Sequence, residues 1–285
     1  MRRYFFLSFL LLILLNGCGK NQAQNHLCAA GSEEFAPLFD RWSAGVREKK
    51  GEEISLVPFG NGTAAASLRE GSCFLGALTR PLTDSEMDSI ARKTGKPPVV
   101  IPVAIEALAI VVPSGSPVRS LSTENISELF TRGSLETIDE IYGLNSASDR
   151  YRFFKESALG GQNYSDRIQE IAHPLELADR VGRSRNAAAY ARPSEITPAL
   201  KILAIEKSGS LLYPDERTVQ SGAYPLERFY YFYFSSAMSG EARNALLNFT
   251  RVALSDEGQK SLISIGLFPL SRADRQKSLS ILEKL

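Results

Sequence analysis

Ser221-Gly222-Ala223-Tyr224-Pro225-Leu226-Glu227-Arg228-Phe229-Tyr230-Tyr231-Phe232-Tyr233-Phe234 is the stretch that decides how this chain folds. A glycine-containing turn leads into an aromatic run long enough for one strand, and in a strand alternate side chains face two packed layers. Core packing is therefore the reading for Phe229 to Phe234, ahead of stacking on a ligand. Ser255-Asp256-Glu257-Gly258-Gln259-Lys260 and Ile265-Gly266-Leu267-Phe268-Pro269-Leu270 follow, and they read as a helix with a glycine stop. Together the pieces make a return segment, which carries the chain back to a body begun earlier.

That body opens with a strand-helix-strand unit. Leu27 to Ala30 and Ile54 to Pro58 read as short buried strands, ended by Gly31 and Gly60, and Phe35, Leu38, Phe39, Trp42 and Val46 recur between them at helical spacing. Phe74 to Leu78 is a third strand, and Thr83 with Glu86 three residues on marks a capped helix start. Val99 to Val103 and Ile105 to Val112 are apolar runs, the second long enough to leave one lobe and enter another. The pattern then restarts: helices over 121–130, 151–159 and 175–181, strands over 187–190 and 200–205, the return strand over 224–234, and helices over 241–254 and 257–265. Repeated alternation predicts mainly parallel sheets covered by helices. Crossovers near 105–112 and 223–234 predict a two-strand hinge.

Length and charge narrow the class. Arg2 and Arg3 precede an apolar stretch from Tyr4 to Leu15 that is short for a membrane span, so residues 1–17 read as a signal peptide. Leu15-Asn16-Gly17-Cys18 resembles the bacterial lipoprotein box, which would place acyl chains on Cys18 and make 18–26 a tether. Several chains on one cysteine would make attachment to the membrane durable. The remainder suits two lobes of roughly 100 to 150 residues: 27–108 with 228–285, and 109–227. A formal net charge of +1 argues against a dominant nucleic-acid surface, and Arg47, Lys49 and Lys50 read as a solvated helix end. Cys28 and Cys73 either bridge, if their strands are neighbours, or are two buried thiols. His26 and His173 have no metal-ligand spacing around them, and no cofactor is implied.

From Ala30 to Leu270 the order of elements resembles the phosphate-binding members of the periplasmic binding protein superfamily. Gly31-Ser32 with Ala36-Pro37-Leu38, Gly60-Asn61-Gly62-Thr63, and Gly76-Ala77-Leu78-Thr79-Arg80-Pro81-Leu82 are similar to the three ligand loops of that family. Residues 104–112 resemble its hinge strand, with Glu106 where an Asp is usual, and Tyr224 to Arg228 and Ser255 to Gln259 lie closest to the pattern. The resemblance implies a two-lobed α/β fold, a small oxyanion such as phosphate in the interlobe cleft, an ABC permease as partner, and a monomeric binding protein rather than an enzyme. No catalytic motif accompanies His173.

The physical basis of such a site is the helix start, where unpaired N–H groups and the helix dipole favour an anion. The resemblance implies Ser32, Asn61, Thr63 and Ser148 as donors. Glu33 and Glu34 stand where the family has Thr or Ser, Phe74 and Leu144 where it has Asp and Arg, and Ser148-Asp149-Arg150 where it has Ser-Gly-Thr. Arg80 either steers an anion or pairs with a neighbouring acid. An acid on one loop and Arg150 on the facing one suggest that Glu33 or Glu34 pairs across the cleft, a built-in substitute for the oxyanion. Two functions follow: an importer receptor for phosphate or a related anion, or a ligand-free or altered-ligand sensor or adaptor that keeps the fold.

Overall fold

The structure, a computed structural model, describes residues 27–50, 54–135, 137–238 and 240–285, the side chains of 47–50 excepted. The signal-peptide, tether and Cys18 readings lie outside the described residues, as do His26 and the side chains of Arg47, Lys49 and Lys50. The first lobe begins with β1 (Cys28–Gly31), a 3-10 turn (Glu33–Phe35), α1 (Ala36–Lys50), β2 (Ser55–Pro58), α2 (Asn61–Glu70), β3 (Leu75–Leu78), α3 (Asp84–Thr94) and β4 (Val99–Ala107). One residue, Leu108, separates β4 from β5 (Ala109–Pro113), the first strand of the second lobe.

The second lobe continues with β6 (Ser120–Ser122), α4 (Thr123–Arg132), β7 (Glu140–Leu144), α5 (Asp149–Leu159), β8 (Gln169–Ile171), α6 (Pro174–Arg183) and β9 (Ala187–Ala191). A 3-10 turn (Pro193–Glu195), β10 (Leu200–Ile202), β11 (Ala204–Lys207), β12 (Ser210–Leu212) and α7 (Glu216–Gln220) complete it. β13 (Glu227–Phe234) then returns to the first lobe, followed by α8 (Gly240–Ala253), α9 (Asp256–Ile263) and α10 (Arg272–Leu282).

The strand order is β2-β1-β3-β13-β4 in the first sheet and β10-β5-β9-β7-β8 in the second, with a small β12-β11-β6 sheet beside it. The mainly parallel expectation holds for β2-β1-β3 and β9-β7-β8, where strand-helix units supply the connections. The crossing strands make both sheets mixed: β13 is antiparallel to β3 and β4, and β5 is antiparallel to β9 and β10. The return strand has to reverse, because it comes back from the far lobe.

Three boundaries differ from the sequence reading. β4 runs on to Ala107, and the break falls at Leu108 rather than Ala104, because two adjoining apolar runs carry no periodic mark at their junction. The strand expected over 200–205 is two strands in different sheets, divided at Leu203, whose N–H donates to Ile110 O at 2.9 Å. The return strand starts at Glu227, and Tyr224 instead anchors the hinge: its hydroxyl donates to Leu108 O at 2.9 Å, while Leu108 N–H donates to Leu226 O at 2.9 Å.

Aromatic packing fixes each lobe. Phe35, Leu38, Phe39, Trp42 and Val46 are all buried on one face of the helical segment; Phe35 packs 4.9 Å from Tyr230 and 5.6 Å from Phe232, centroid to centroid. In the second lobe Phe154 stacks on Tyr190 at 4.1 Å and meets Phe130 edge-on at 4.8 Å. Cys28 and Cys73 form a disulfide with Cα atoms 5.3 Å apart, since β1 and β3 are parallel neighbours with Ala29 opposite Leu75. Gly31 is required there: a Cβ would stand 1.9 Å from Ala77 O.

Candidate functional site: the interlobe crevice

Three helical segments begin at the ends of first-lobe strands or opposite them, and their starts converge. Ser32 follows β1 and caps the 3-10 turn, its Oγ accepting Glu34 N–H at 3.3 Å. α2 starts after Gly60, which has φ +83° and no side chain, so the helix start carries no side-chain cap from its N-cap residue. Asn61 braces the end of β3: its Nδ2 donates to Thr79 Oγ1 at 3.0 Å, and its Oδ1 accepts Thr79 N–H at 2.8 Å. From the second lobe, Ser148 caps α5 by accepting Arg150 N–H at 3.2 Å.

Asp149, the first residue of α5, stands at the meeting point. Its Oδ2 accepts from Ser32 Oγ and lies 3.5 Å from Thr79 Oγ1, while Oδ1 pairs with Arg152 and the backbone carbonyl accepts from Arg228 Nη1 at 3.4 Å. Ser32 and Thr79 are fully buried, and Asp149 is 1% exposed. A carboxylate of the second lobe is thus held by hydroxyls of the first.

On one side of Asp149 the crevice is sealed by ion pairs. Arg150 reaches Glu34 at 3.2 Å and Glu195 at 2.7 Å. Arg192 reaches Glu34 Oε2 at 2.6 Å through Nη2 and Glu106 Oε1 at 2.6 Å through Nε, and also donates to the Tyr230 hydroxyl at 2.8 Å. Arg228 Nε donates to Glu106 Oε2 at 2.7 Å and its guanidinium covers the Phe153 ring at 4.5 Å. Three carboxylates therefore face three guanidiniums. Burial alone would raise the Glu106 carboxyl, but Arg192, Arg228 and Arg150 outweigh it and hold it at about 2. Burial opposes charge on Arg192 as well, yet Glu106 and Glu34 keep it firmly protonated.

On the other side lies a cavity of about 640 Å³, lined by both lobes and by β13, with Phe59, Asn61, Arg152, Glu156, Glu227 and Tyr231 among its walls. Buried Glu227 Oε2 has no hydrogen-bond partner among the described residues; burial, then Asp274, raise its carboxyl.

Of the residues singled out from sequence, Ser32, Glu34, Asn61 and Arg150 come together here. Glu33 is exposed, Thr63 donates to Phe59 O at 2.8 Å one turn back, and Ser148 serves as a cap. Arg80 turns to Glu86, with both guanidinium contacts at 2.7 Å, and that pairing holds the Glu86 carboxyl at about 2. Phe74 packs against the core and Leu144 is buried, its N–H donating to Tyr190 Oη at 3.1 Å. Sequence reasoning had Thr79 within the third ligand loop without singling it out, and missed Asp149, Arg192, Glu195 and Arg228 as members of the crevice. Glu106 carried a signal, because a lone acid inside Ala104 to Val112 must find a partner when buried. Asp149 carried none, since an acid in the first turn of a helix is ordinary.

Two α/β lobes joined by two passes of backbone, with helix starts ringing the crevice between them, define a bilobal solute-binding fold. The chain belongs to the PBP superfamily, whose domain model matches residues 18–257. It is 27% identical over 277 residues to the phosphate-binding protein PstS of Pseudomonas aeruginosa, covering 89% of this chain and 86% of that protein. It is 25% identical over 270 residues to the protein SphX of Synechococcus elongatus, covering 87% and 79%. An ABC-type phosphate transport receptor from Vibrio cholerae superposes with a TM-score of 0.71 at 18% identity, covering 85% of this chain and 98% of that one, which speaks to fold.

Proposed function

We propose that this protein is the solute-binding component of an ABC importer, and that phosphate or a related small oxyanion is its solute. The observation that carries the reading is the convergence of Ser32, the Asn61–Thr79 pair and the uncapped start of α2 on one crevice between the lobes. Hydroxyls and helix N–H groups at such a point suit an anion. The relatives named for phosphate add support along nearly the whole chain. The solute would enter through the cavity beside Phe59, whose walls carry Arg80, Arg152 and Arg228 along with Asp149, Glu156 and Glu227, while Glu34 and Arg150 hold the lobes together behind it. Glu33, Thr63 and Ser148 would take part only through the backbone they shape.

In this reading lobe I comprises 27–108 and 228–285, lobe II comprises 109–227, and residues 1–17 are removed on export. The protein works as a monomer held to a bacterial membrane through lipid on Cys18, facing the periplasm or cell exterior. Binding, with no catalysis, is the whole of its activity. Calorimetry of the purified chain against phosphate tests this: heat with micromolar affinity supports it, and a flat trace at millimolar phosphate removes it. A second reading, an adaptor that keeps the fold with no solute, is favoured by one observation: the Glu34, Glu106 and Glu195 carboxylates are already ion-paired with Arg150, Arg192 and Arg228.

A further inference from the structure

We propose that Asp149 is a tethered ligand: its carboxylate, carried on one lobe, occupies the hydroxyl donors of the other and holds the crevice shut in the absence of solute, so a solute anion has to displace it. This rests on the oxyanion reading above.

The placement of Asp149 is the first argument. An acid at the first position of a helix ordinarily sits in water beside its own N–H groups. Asp149 is instead 1% exposed and crosses to Ser32 Oγ and Thr79 Oγ1, at the ends of β1 and β3. Chemistry is the second. A carboxylate presents two acceptor oxygens and a single negative charge, which is what hydroxyl donors beside a helix start accept from any oxyanion. Because the group is part of the chain, it confronts those donors at an effective concentration on the order of millimolar, and a free solute competes against that.

The surrounding charges make the third argument. Asp149 is answered by Arg152, and the ion pairs behind it contain equal numbers of acids and guanidiniums. Among the described residues each guanidinium of the sealed side already faces a carboxylate, so the closed crevice is balanced in charge without a solute; Arg228 Nη2, which makes no hydrogen bond, is the donor nearest to being free on the cavity side. Solute and Asp149 cannot share the donors: two like charges about 4 Å apart repel strongly at the dielectric of a protein interior. The cavity on the solvent side, lined by Asp149 and Arg152 themselves, gives the displacing anion its approach.

Amide hydrogen exchange and phosphate titration of the full chain, alongside Asp149→Ala, test this. In phosphate-free buffer the wild-type amides of 32–35 and 149–152 should be protected. In Asp149→Ala they should exchange at least about tenfold faster, and phosphate should restore protection at a concentration at least about tenfold lower than any to which the wild type responds. If the variant is as protected as the wild type without phosphate, the latch is overturned, and phosphate binding then stands or falls on its own titration. If the variant loosens but neither protein responds to phosphate, the latch is sustained and the phosphate reading fails. Asp149→Asn, which keeps the shape and loses the charge, and Ser32→Ala, which removes the donor on the other lobe, should loosen the same two segments. Those variants keep the test decisive if Asp149→Ala does not fold.

Discussion

Arg192 Nε lies 2.6 Å from Glu106 Oε1, so the loop after β9 in one lobe is bonded to the end of β4 in the other, beside the hinge. Both residues are buried, Glu106 completely. Stranding either charge is expensive, because a buried ion without its partner keeps its desolvation penalty and loses the compensation. Arg192→Ala should destabilise the protein by about 3–5 kcal/mol, as read from urea unfolding midpoints. Removing both partners, as Glu106→Leu with Arg192→Met, should cost less than Glu106→Leu alone, which strands Arg192 as well as Arg228.

Acid should act through the same carboxylate. Glu106 sits at about 2 against an ordinary value of 4.5, so its contribution is fully present above pH 4.5 and is lost as pH falls toward 2. Thermal melts of wild type and Glu106→Gln across pH 5 to 2 should show a fall for the wild type that is shallower in the variant; parallel curves would rule Glu106 out as the source.

Two arginines single out different roles. Arg80→Ala removes a partly exposed pair inside one lobe, and such pairs contribute about 0–1 kcal/mol. Arg150→Ala breaks contacts to Glu34 in the facing lobe and to Glu195 in its own. Small-angle scattering should therefore be unchanged for the first and expanded for the second, with a clear loss of stability only in the second.

The disulfide offers a further check. It closes a loop with a sequence separation of 45 residues, and the chain-entropy model assigns such a crosslink about 4 kcal/mol. Cys28→Ser with Cys73→Ser should lower the urea midpoint accordingly, and reductant should lower that of the wild type but leave the double variant unmoved.

Sequence alone was enough for the scaffold because its signals are local. The spacing of Phe35, Leu38, Phe39, Trp42 and Val46 located a buried helix face, Thr83 and Glu86 formed the expected capping box, and Gly133 and Gly160 stopped helices in left-handed conformations. That Glu33 or Glu34 would pair with Arg150 was also legible, as opposite charges on facing loops, but which of the two was not: the partner is Glu34. Asp149 was not, because nothing within its own helix tells a solvated first-turn acid from one that crosses to Ser32. Arg192 was hidden for the same reason: its partners lie 158 and 86 residues away. Long-range pairing of polar groups leaves no periodic trace, whereas helix faces and caps do.

The linkage at Leu108 has a mechanical consequence. Its N–H donates to the Leu226 carbonyl and its own carbonyl accepts the Tyr224 hydroxyl, so the outgoing and returning passes stay clasped for one step beyond the β4–β13 ladder. Any rotation of one half against the other would pivot about that short axle with both sheets intact, and would displace most the rim around Phe59 and Glu156, which lie on opposite walls of the cavity.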